Sequence, residues 1–150
     1  SKFKGVEHRL EFVKELDDVK WYNDSIGTSP TRTIAGLYSF EEPIILIAGG
    51  YDKHLEYEPL AKPIVEKVSN LILLGQTAEK IEKSVERELK RTKKSLPIFR
   101  CQNLEEAVQE ARNIAKPGDI VLLSPASAAF DMFKNFEQRG KIYKELVNNL

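Results

Sequence analysis

The sequence predicts a doubly wound α/β domain, Rossmann-like, with a mainly parallel sheet and helices on both faces. Short apolar runs recur along the chain, and a segment of helical periodicity follows each of them. Some of these runs are apolar throughout, as at 43–48, which is typical of parallel strands buried on both faces. Strands are predicted at 19–22, 43–48, 71–74, 97–101 and 120–123.

Capping residues and apolar spacing place the helices between these strands. Ser29 as N-cap and Pro30 at the first helical position begin a helix that extends to about Phe40. Asn103 begins another, since Glu106 lies three residues further on. The remaining helices are predicted at 59–68, with Pro63 inside it, at 77–91, at 126–138 and, beyond Gly140, at 141–150, with an opening helix near 6–16.

Composition limits the class of protein. The 150 residues are 41% hydrophobic, which suffices for one domain with its own core and excludes a disordered chain. The 23 basic and 23 acidic side chains balance, so neither nucleic acid nor an anionic membrane is an expected partner. No apolar run is long enough to span a bilayer, and no leader segment is recognisable. A single cysteine excludes an internal disulfide framework, and we expect a soluble cytoplasmic domain.

Four polar or glycine-rich segments follow predicted strands and are candidates for ligand binding: 23–28, 49–53, 75–77 and 124–127. In open parallel sheets, ligands bind outside the carboxyl ends of the strands. Lys53 could neutralise a carboxylate or phosphate, although the pattern alone favours a tight turn with a solvated lysine. Asp24 could accept from ribose hydroxyls or hold its own turn.

Several standard catalytic and metal-binding patterns are absent. Two isolated histidines and one cysteine make a poor zinc site, and no Gly-x-Ser-x-Gly occurs. Without a P-loop or a Gly-x-Gly-x-x-Gly, the domain does not cradle a nucleoside triphosphate by itself in either standard way. The basic run at 90–94 indicates a solvated helix end. Aromatic residues also recur at the spacing of three typical of the core face of a helix: Phe130, Phe133 and Phe136.

Taken together, four segments resemble the C-terminal domain of the Mur ligases. They are Phe3-x-Gly5-x-x-His8-Arg9-x-Glu11, Asn23-Asp24-Ser25, Leu46-Ile47-Ala48-Gly49-Gly50-x-Asp52-Lys53 and Leu122-Leu123-Ser124-Pro125-Ala126. The segment 124–140, which ends in Asp131-Met132-Phe133-Lys134-Asn135-Phe136-Glu137-Gln138-Arg139-Gly140, is similar to the branch of that family that adds D-glutamate. The similarity covers essentially the whole chain in one unbroken order.

The resemblance implies an ATP-dependent amide-bond ligase of peptidoglycan precursor synthesis. In that family ATP converts the carboxylate of UDP-N-acetylmuramoyl-L-alanine to an acyl phosphate, which the amine of D-glutamate attacks. A complete member has a uridine-nucleotide domain, a central ATPase domain and this C-terminal domain, and the P-loop and the Mg²⁺ ligands belong to the central one. The resemblance therefore implies ATP and Mg²⁺ as cofactors, two further domains of the same chain as partners, a monomer, and no catalytic residue or metal ligand in this inactive fragment.

Residue roles follow from position in the family pattern. Arg9 and Asp24 match positions that contact ATP, with Asp24 on the ribose side. Thr28 and Lys53 match positions that hold the D-glutamate carboxylates, and a hydroxyl donor with a cation suits a dianionic amino acid. Phe136 matches the other end of the amino-acid pocket.

Two positions depart from the pattern. Many relatives have lysine where this chain has Ile26, so that charge is missing or supplied elsewhere. A serine that binds the substrate carboxylate in some relatives corresponds to Ala129. Backbone N–H groups around Ala129 and Phe130, or the Ser127 hydroxyl, would then compensate, which makes Phe130 a candidate substrate-binding residue.

Two alternatives stay open. One is a free-standing α/β module that binds a small anion or nucleotide, and the other is the C-terminal domain of another Mur or folylpolyglutamate-type ligase. The segment 131–140 argues against the second.

Overall fold

A computed structural model describes residues 6–150 of the chain. The strands are β1 (Glu11–Leu16), β2 (Val19–Asn23), β3 (Ile44–Ala48), β4 (Val68–Leu73), β5 (Ile98–Arg100) and β6 (Ile120–Leu123), and the helices are α1 (Pro30–Leu37), α2 (Glu58–Lys67), α3 (Ala78–Thr92), α4 (Leu104–Ile114) and α5 (Phe136–Asn148). They form one six-stranded sheet in the order β1-β2-β6-β3-β4-β5. The β1–β2 pair is antiparallel and every other pair is parallel.

Helices cover both faces of the sheet, and β3 shows why. Its side chains alternate between two hydrophobic cores: Ile44 and Leu46 pack against α1, α2 and α3, while Ile45 and Ile47 pack against α4 and α5. All four side chains are fully buried. The doubly wound, mainly parallel class predicted from the apolar runs is therefore confirmed.

The five predicted strands are all present, with small differences at their ends. The prediction at 120–123 matches β6 in full. Val68, predicted at the end of a helix, instead begins β4, because it pairs with Ile44 and α2 passes into the strand without a loop. Pro63 lies inside α2, as predicted, without ending it.

The predicted opening helix is wrong, because residues 11–16 form β1, which pairs with β2 in a hairpin. The turn consists of Asp17 and Asp18, with φ values of 53° and 64°, the left-handed pair that suits a two-residue hairpin. A bulge between Phe12 and Lys14 interrupts the alternation of the strand. That irregularity gave the segment a spacing that imitates a helix.

The helix predicted at 126–138 is also wrong. Residues 124–135 form an irregular segment, and Ala126 has a φ of 57°, which an α-helix does not allow. The single helix α5 begins at Phe136, after its cap Asn135, and runs to Asn148.

Gly140 was predicted to separate two helices, because glycine usually destabilises a helix, and this prediction is wrong. The residue lies inside the single helix α5. A Cβ atom at this position would lie 2.2 Å from His8 Nδ1 and 3.1 Å from Asn23 Nδ2. The glycine therefore permits a close approach between α5 and the segment that precedes β1.

β6, the last strand in sequence, lies between β2 and β3. After β2 the chain continues through β3, β4 and β5, and it then crosses back to place β6 between β2 and β3. The turns after β2, β3 and β6 therefore lie side by side. Among residues 6–150, no helix is long and apolar enough to cross a membrane.

Candidate functional site

The predicted ligand-binding segments meet at one edge of the sheet. The Gly49 N–H donates to the Pro125 carbonyl at 2.9 Å, which joins the turns after β3 and β6. The Thr77 N–H donates to the Gly50 carbonyl at 3.0 Å, which adds the turn after β4. The edge is thus a continuous rim of backbone turns, as the rule for parallel sheets predicts.

A cleft of about 600 Å³ opens at the end of β2, between the segment before β1 and helix α1. Arg9 and Asp24 both line it, and Ile26 and Arg32 lie in the same wall. The structure therefore brings together the two residues that the sequence predicted to contact ATP.

The Asp24 carboxylate connects distant parts of the chain. Its Oδ1 accepts from the Leu10 N–H at 3.0 Å, and its Oδ2 accepts from the Ser124 hydroxyl at 2.7 Å. The side chain that forms the local turn is instead that of Asn23, whose Oδ1 accepts from the Ser25 N–H at 3.1 Å. Asp24 therefore fixes the backbone beside Arg9 as well as lining the cleft.

Burial governs the protonation of Asp24, which is only 4% exposed. It raises the pKa of the carboxyl above its ordinary value of 3.8, and the hydrogen bonds from Ser124 and Leu10 oppose that shift. Arg32 and Arg9 also lower the pKa of Asp24 through their charges. The cleft thus holds a buried carboxyl between two exposed guanidinium groups.

A loop of unusual backbone presents Arg9. The residues on either side, His8 and Leu10, have φ values of 67° and 43°, in the left-handed region. The His8 carbonyl accepts from the Ile26 N–H at 3.0 Å, which holds the loop against the turn after β2. The conformation that places Arg9 at the cleft is therefore fixed by the turn that carries Asp24.

Sequence reasoning missed Arg32, which lies in the first turn of α1. Positive charge at a helix N-terminus opposes the helix dipole, and this first turn contains no acidic residue. A basic residue at this unfavourable position could have been identified from the sequence as a candidate ligand-binding residue. Neither Arg9 nor Arg32 has a carboxylate within 4.0 Å among the described residues, so both can meet an anion in the cleft.

Lys53 and Phe130 lie together at the other side of the rim. The Lys53 ammonium is 5.8 Å from the centre of the Phe130 ring, within the range of a cation–π contact. Tyr51 packs edge-on against the same ring at 5.8 Å. Phe130 is 57% exposed, so its interpretation as a core residue of an aromatic stripe is wrong. Within the described chain Lys53 forms no ion pair.

Thr28 lies in the turn after β2 and is half-buried. Its backbone N–H donates to the Ile26 carbonyl at 2.7 Å. Among residues 6–150, no hydrogen bond engages its hydroxyl or joins it to Lys53, so the group is available to a ligand.

Ser127 is unavailable as a replacement for the serine missing at Ala129. It is fully buried, and its hydroxyl lies 2.8 Å from both Tyr57 Oη and Thr77 Oγ1. These contacts fix the turn after β6 against α2 and α3. The backbone N–H groups of Ala129 and Phe130 have no hydrogen-bond partner in the described part of the chain, and they remain candidates for the compensating role.

Phe136 occupies the first position of α5, at the border of the rim. Asn135 caps the helix, since its Oδ1 accepts from the Gln138 N–H at 2.8 Å. The Phe136 ring is half-buried and packs edge-on against His8 at 5.9 Å. Its carbonyl accepts from the Ser25 hydroxyl at 2.7 Å, so this helix end adjoins the turn that carries Thr28.

No group of three or more His, Cys, Asp or Glu suited to a metal ion occurs between residues 6 and 150. The cations and backbone N–H groups of the rim suit anions instead.

Fold and rim together define an α/β domain that presents cations and backbone N–H groups at the carboxyl edge of a parallel sheet. Residues 8–127 match the family model for the glutamate ligase domain of Mur ligases. The chain belongs to this family, since the match covers more than half of its length. The resemblance noted in the sequence is therefore confirmed.

The curated relatives are similar over the whole chain. A UDP-N-acetylmuramoylalanine–D-glutamate ligase of Acetivibrio thermocellus is 59% identical over 150 residues, which are 99% of this chain and 32% of the relative. The enzyme of the same name from Clostridium acetobutylicum is 58% identical over 148 residues, again 99% of this chain and 32% of the relative. The chain thus spans about a third of the length of these relatives.

Solved structures share the fold at low sequence identity. A murein peptide ligase from Psychrobacter arcticus superposes with a TM-score of 0.64 at 12% identity, over 99% of this chain and 32% of that one. A MurF ligase from Thermotoga maritima in complex with ADP gives 0.61 at 17% identity, over 99% and 33%. A folylpolyglutamate synthase from Thermotoga maritima gives 0.63 at 12%, over 97% and 32%.

Proposed function

We propose that the chain is the C-terminal domain of an ATP-dependent ligase that adds D-glutamate to UDP-N-acetylmuramoyl-L-alanine in peptidoglycan synthesis. The observation that carries the proposal is the charge of the rim. Arg9, Arg32 and Lys53 form no ion pair within the described residues, although the chain has as many acidic as basic side chains. ATP and D-glutamate are the anions that such a rim would meet.

The cleft beside Asp24 suits part of a nucleotide. Its volume of about 600 Å³ is within the range of small-molecule sites. Arg9 and Arg32 would hold the phosphates by charge-assisted hydrogen bonds, and Asp24 would accept from a ribose hydroxyl with the lone pairs that its two internal bonds leave. ATP supplies the phosphoryl group that activates the acceptor carboxylate.

D-glutamate fits the other side of the rim. Lys53 offers an ammonium and Thr28 a hydroxyl, while the first turn of α5 and the backbone at Phe130 offer N–H donors. A dianion with two separate carboxylates is complemented by cationic and N–H donors that approach from different turns. These residues would orient the amine of D-glutamate and leave its reaction to groups outside the chain.

The remaining parts of the reaction belong elsewhere. The described residues offer no acidic cluster for Mg²⁺, so its ligands would come from the other two-thirds of the ligase. We also propose that the ligase acts as a monomer in the cytoplasm, where its nucleotide substrates are made.

The test is a chimaera in which this chain replaces the matching third of the Acetivibrio thermocellus relative. We expect phosphate release that depends on both UDP-N-acetylmuramoyl-L-alanine and D-glutamate. Replacing Lys53 by Met should raise the KM for D-glutamate about tenfold or more, since it removes a charge-assisted contact. Replacing Arg9 by Met should act on the KM for ATP instead. Lys116→Met, an exposed change away from the rim, is the matched control.

Competition between amino acids separates the alternatives. A chimaera that prefers another amino acid would indicate a different ligase of the family, such as a folylpolyglutamate-type enzyme. An inactive but folded chimaera would reject the proposal, and tight binding of ATP by the chain alone would favour a free-standing binding module.

A further inference from the structure

The Arg139 guanidinium is buried in the rim without a carboxylate partner. It is 3% exposed, and no ion pair with it occurs among the described residues. Its Nε donates to Ser25 Oγ at 2.9 Å and its Nη2 to the Ser25 carbonyl at 2.8 Å, whereas Nη1 has no partner in the part of the chain described. Burying an unpaired charge is costly, so stability does not explain this arrangement.

Arg139 contacts the structural elements that carry the proposed glutamate ligands. Ser25 belongs to the turn that continues to Thr28, and its hydroxyl also donates to the Phe136 carbonyl at 2.7 Å. The guanidinium therefore ties the turn after β2 to the first turn of α5. A Cβ atom on Gly50 would lie 3.2 Å from Nη1, so the turn that leads to Lys53 lies against the same group.

We propose that Arg139 is a positioning residue of the glutamate site, an inference that rests on the proposed function. The planar fork holds the turn that continues to Thr28 against the first turn of α5, and it lies beside the turn that leads to Lys53. A dianion held from three separate segments requires their spacing to be fixed before it binds. The rigid guanidinium loses less conformational freedom for each hydrogen bond than a lysine would.

Burial also acts on the charge of this group. It lowers the pKa of Arg139 to about 10, with Asp131 acting in the opposite direction. The guanidinium therefore stays charged at neutral pH and adds positive potential beside the place of the dianion. Arg139 would thus contribute to the glutamate site both by fixing the position of its turns and by its positive charge.

The test uses the chimaeric ligase with Arg139→Met, Arg139→Lys and Ser25→Ala. We expect Arg139→Met to raise the KM for D-glutamate at least about tenfold, since small displacements of binding groups have large effects, while the KM for ATP changes less than about twofold. Arg139→Lys keeps the charge without the fork and should recover only part of the loss. Ser25→Ala should raise the KM for D-glutamate less. Adding Ser25→Ala to Arg139→Met should change this KM very little further, because both substitutions remove the same hydrogen bond between Arg139 and Ser25.

The outcomes are distinguishable. Parallel increases in both KM values, together with a lower Tm, would show a merely structural role and overturn the inference. Full rescue by lysine would also overturn it, since charge alone would then suffice. If Arg139→Met does not fold, Ser25→Ala and Arg139→Lys still decide through the KM for D-glutamate. An unmodified chimaera without D-glutamate-dependent activity would instead reject the proposed function.

Discussion

At the scale of single residues, Asp24 shows how the site constrains the fold. Its carboxylate accepts hydrogen bonds from Leu10 and Ser124, segments that lie on opposite sides of it in the sequence. The same carboxylate is buried, which raises its pKa, and the folded chain therefore holds a charge that the unfolded chain would hold more easily. Such a cost is typical of groups kept for binding rather than for stability.

This cost predicts a pH-dependent effect of Asp24→Asn. A raised pKa in the folded state means that stability is lost as the pH rises through the ordinary value of 3.8 to the raised one, because the charged form is disfavoured by folding. Asparagine has a similar shape and no charge, so its Tm relative to the unmodified chain should be higher at pH 7 than at pH 3. Each unit of raised pKa corresponds to about 1.4 kcal/mol.

The measurement is thermal unfolding of both chains between pH 3 and pH 7. Because every other titrating group is shared, it cancels in the difference. A Tm difference between the two chains that stays constant from pH 3 to pH 7 would contradict the prediction, because it would show that the fold fully compensates the Asp24 charge.

At the scale of elements, the packing of α5 depends on the absence of a side chain at Gly140. His8, which this helix covers, is 6% exposed, and its Nδ1 lies 2.9 Å from Asn23 Nδ2. The helix thereby holds the start of the loop that carries Arg9. A glycine in the interior of a helix, normally unfavourable, is here the condition for contact between two parts of the site.

Gly140→Ala should therefore destabilise the domain, although alanine favours helices by about 1 kcal/mol. The new Cβ would lie 2.2 Å from His8 Nδ1, and overpacking of this kind costs about 1–3 kcal/mol, which offsets or exceeds that gain. The check is a comparison of unfolding free energies with Lys141→Ala, an exposed neighbour on the same helix that should change little. A Gly140→Ala chain at least as stable as this control would contradict the argument.

The sequence predicts the elements better than their contacts. Runs such as 120–123 identify strands because burial on both faces leaves no polar position, and the carboxyl-edge rule brings Asp24 and Lys53 to one edge. The bond between Asp24 and Ser124 joins residues 100 apart, which no local pattern encodes. The same holds for the contact between Gly140 and His8, which lie far apart in the sequence. From the local sequence alone, the glycine indicates a break between two helices.

At the scale of the whole molecule, the domain has two cores of its own, one on each side of the sheet. Both form from side chains of this chain, so their burial does not require a further domain. The rim, by contrast, offers cations and N–H donors without a P-loop or a metal-binding cluster in the described residues.

We therefore expect the isolated 150-residue chain to fold cooperatively but to show neither ATP hydrolysis nor amide-bond formation. It should bind ATP and D-glutamate only weakly, since under the proposed function it supplies only part of each site. Calorimetric unfolding checks the first statement, and titration calorimetry with a phosphate-release assay checks the second. Ligase turnover by the purified chain would contradict this prediction.

The central place of β6 also has a consequence for synthesis on the ribosome. Lys20 pairs with Ile120 and Ile44 with Ile120 on the other side, so the two halves of the sheet have no ladder between them until residue 123 has emerged. Until then, the facing edges of β2 and β3 have no strand between them. The sheet of this domain is therefore completed only when β6, its last strand in sequence, pairs with both neighbours.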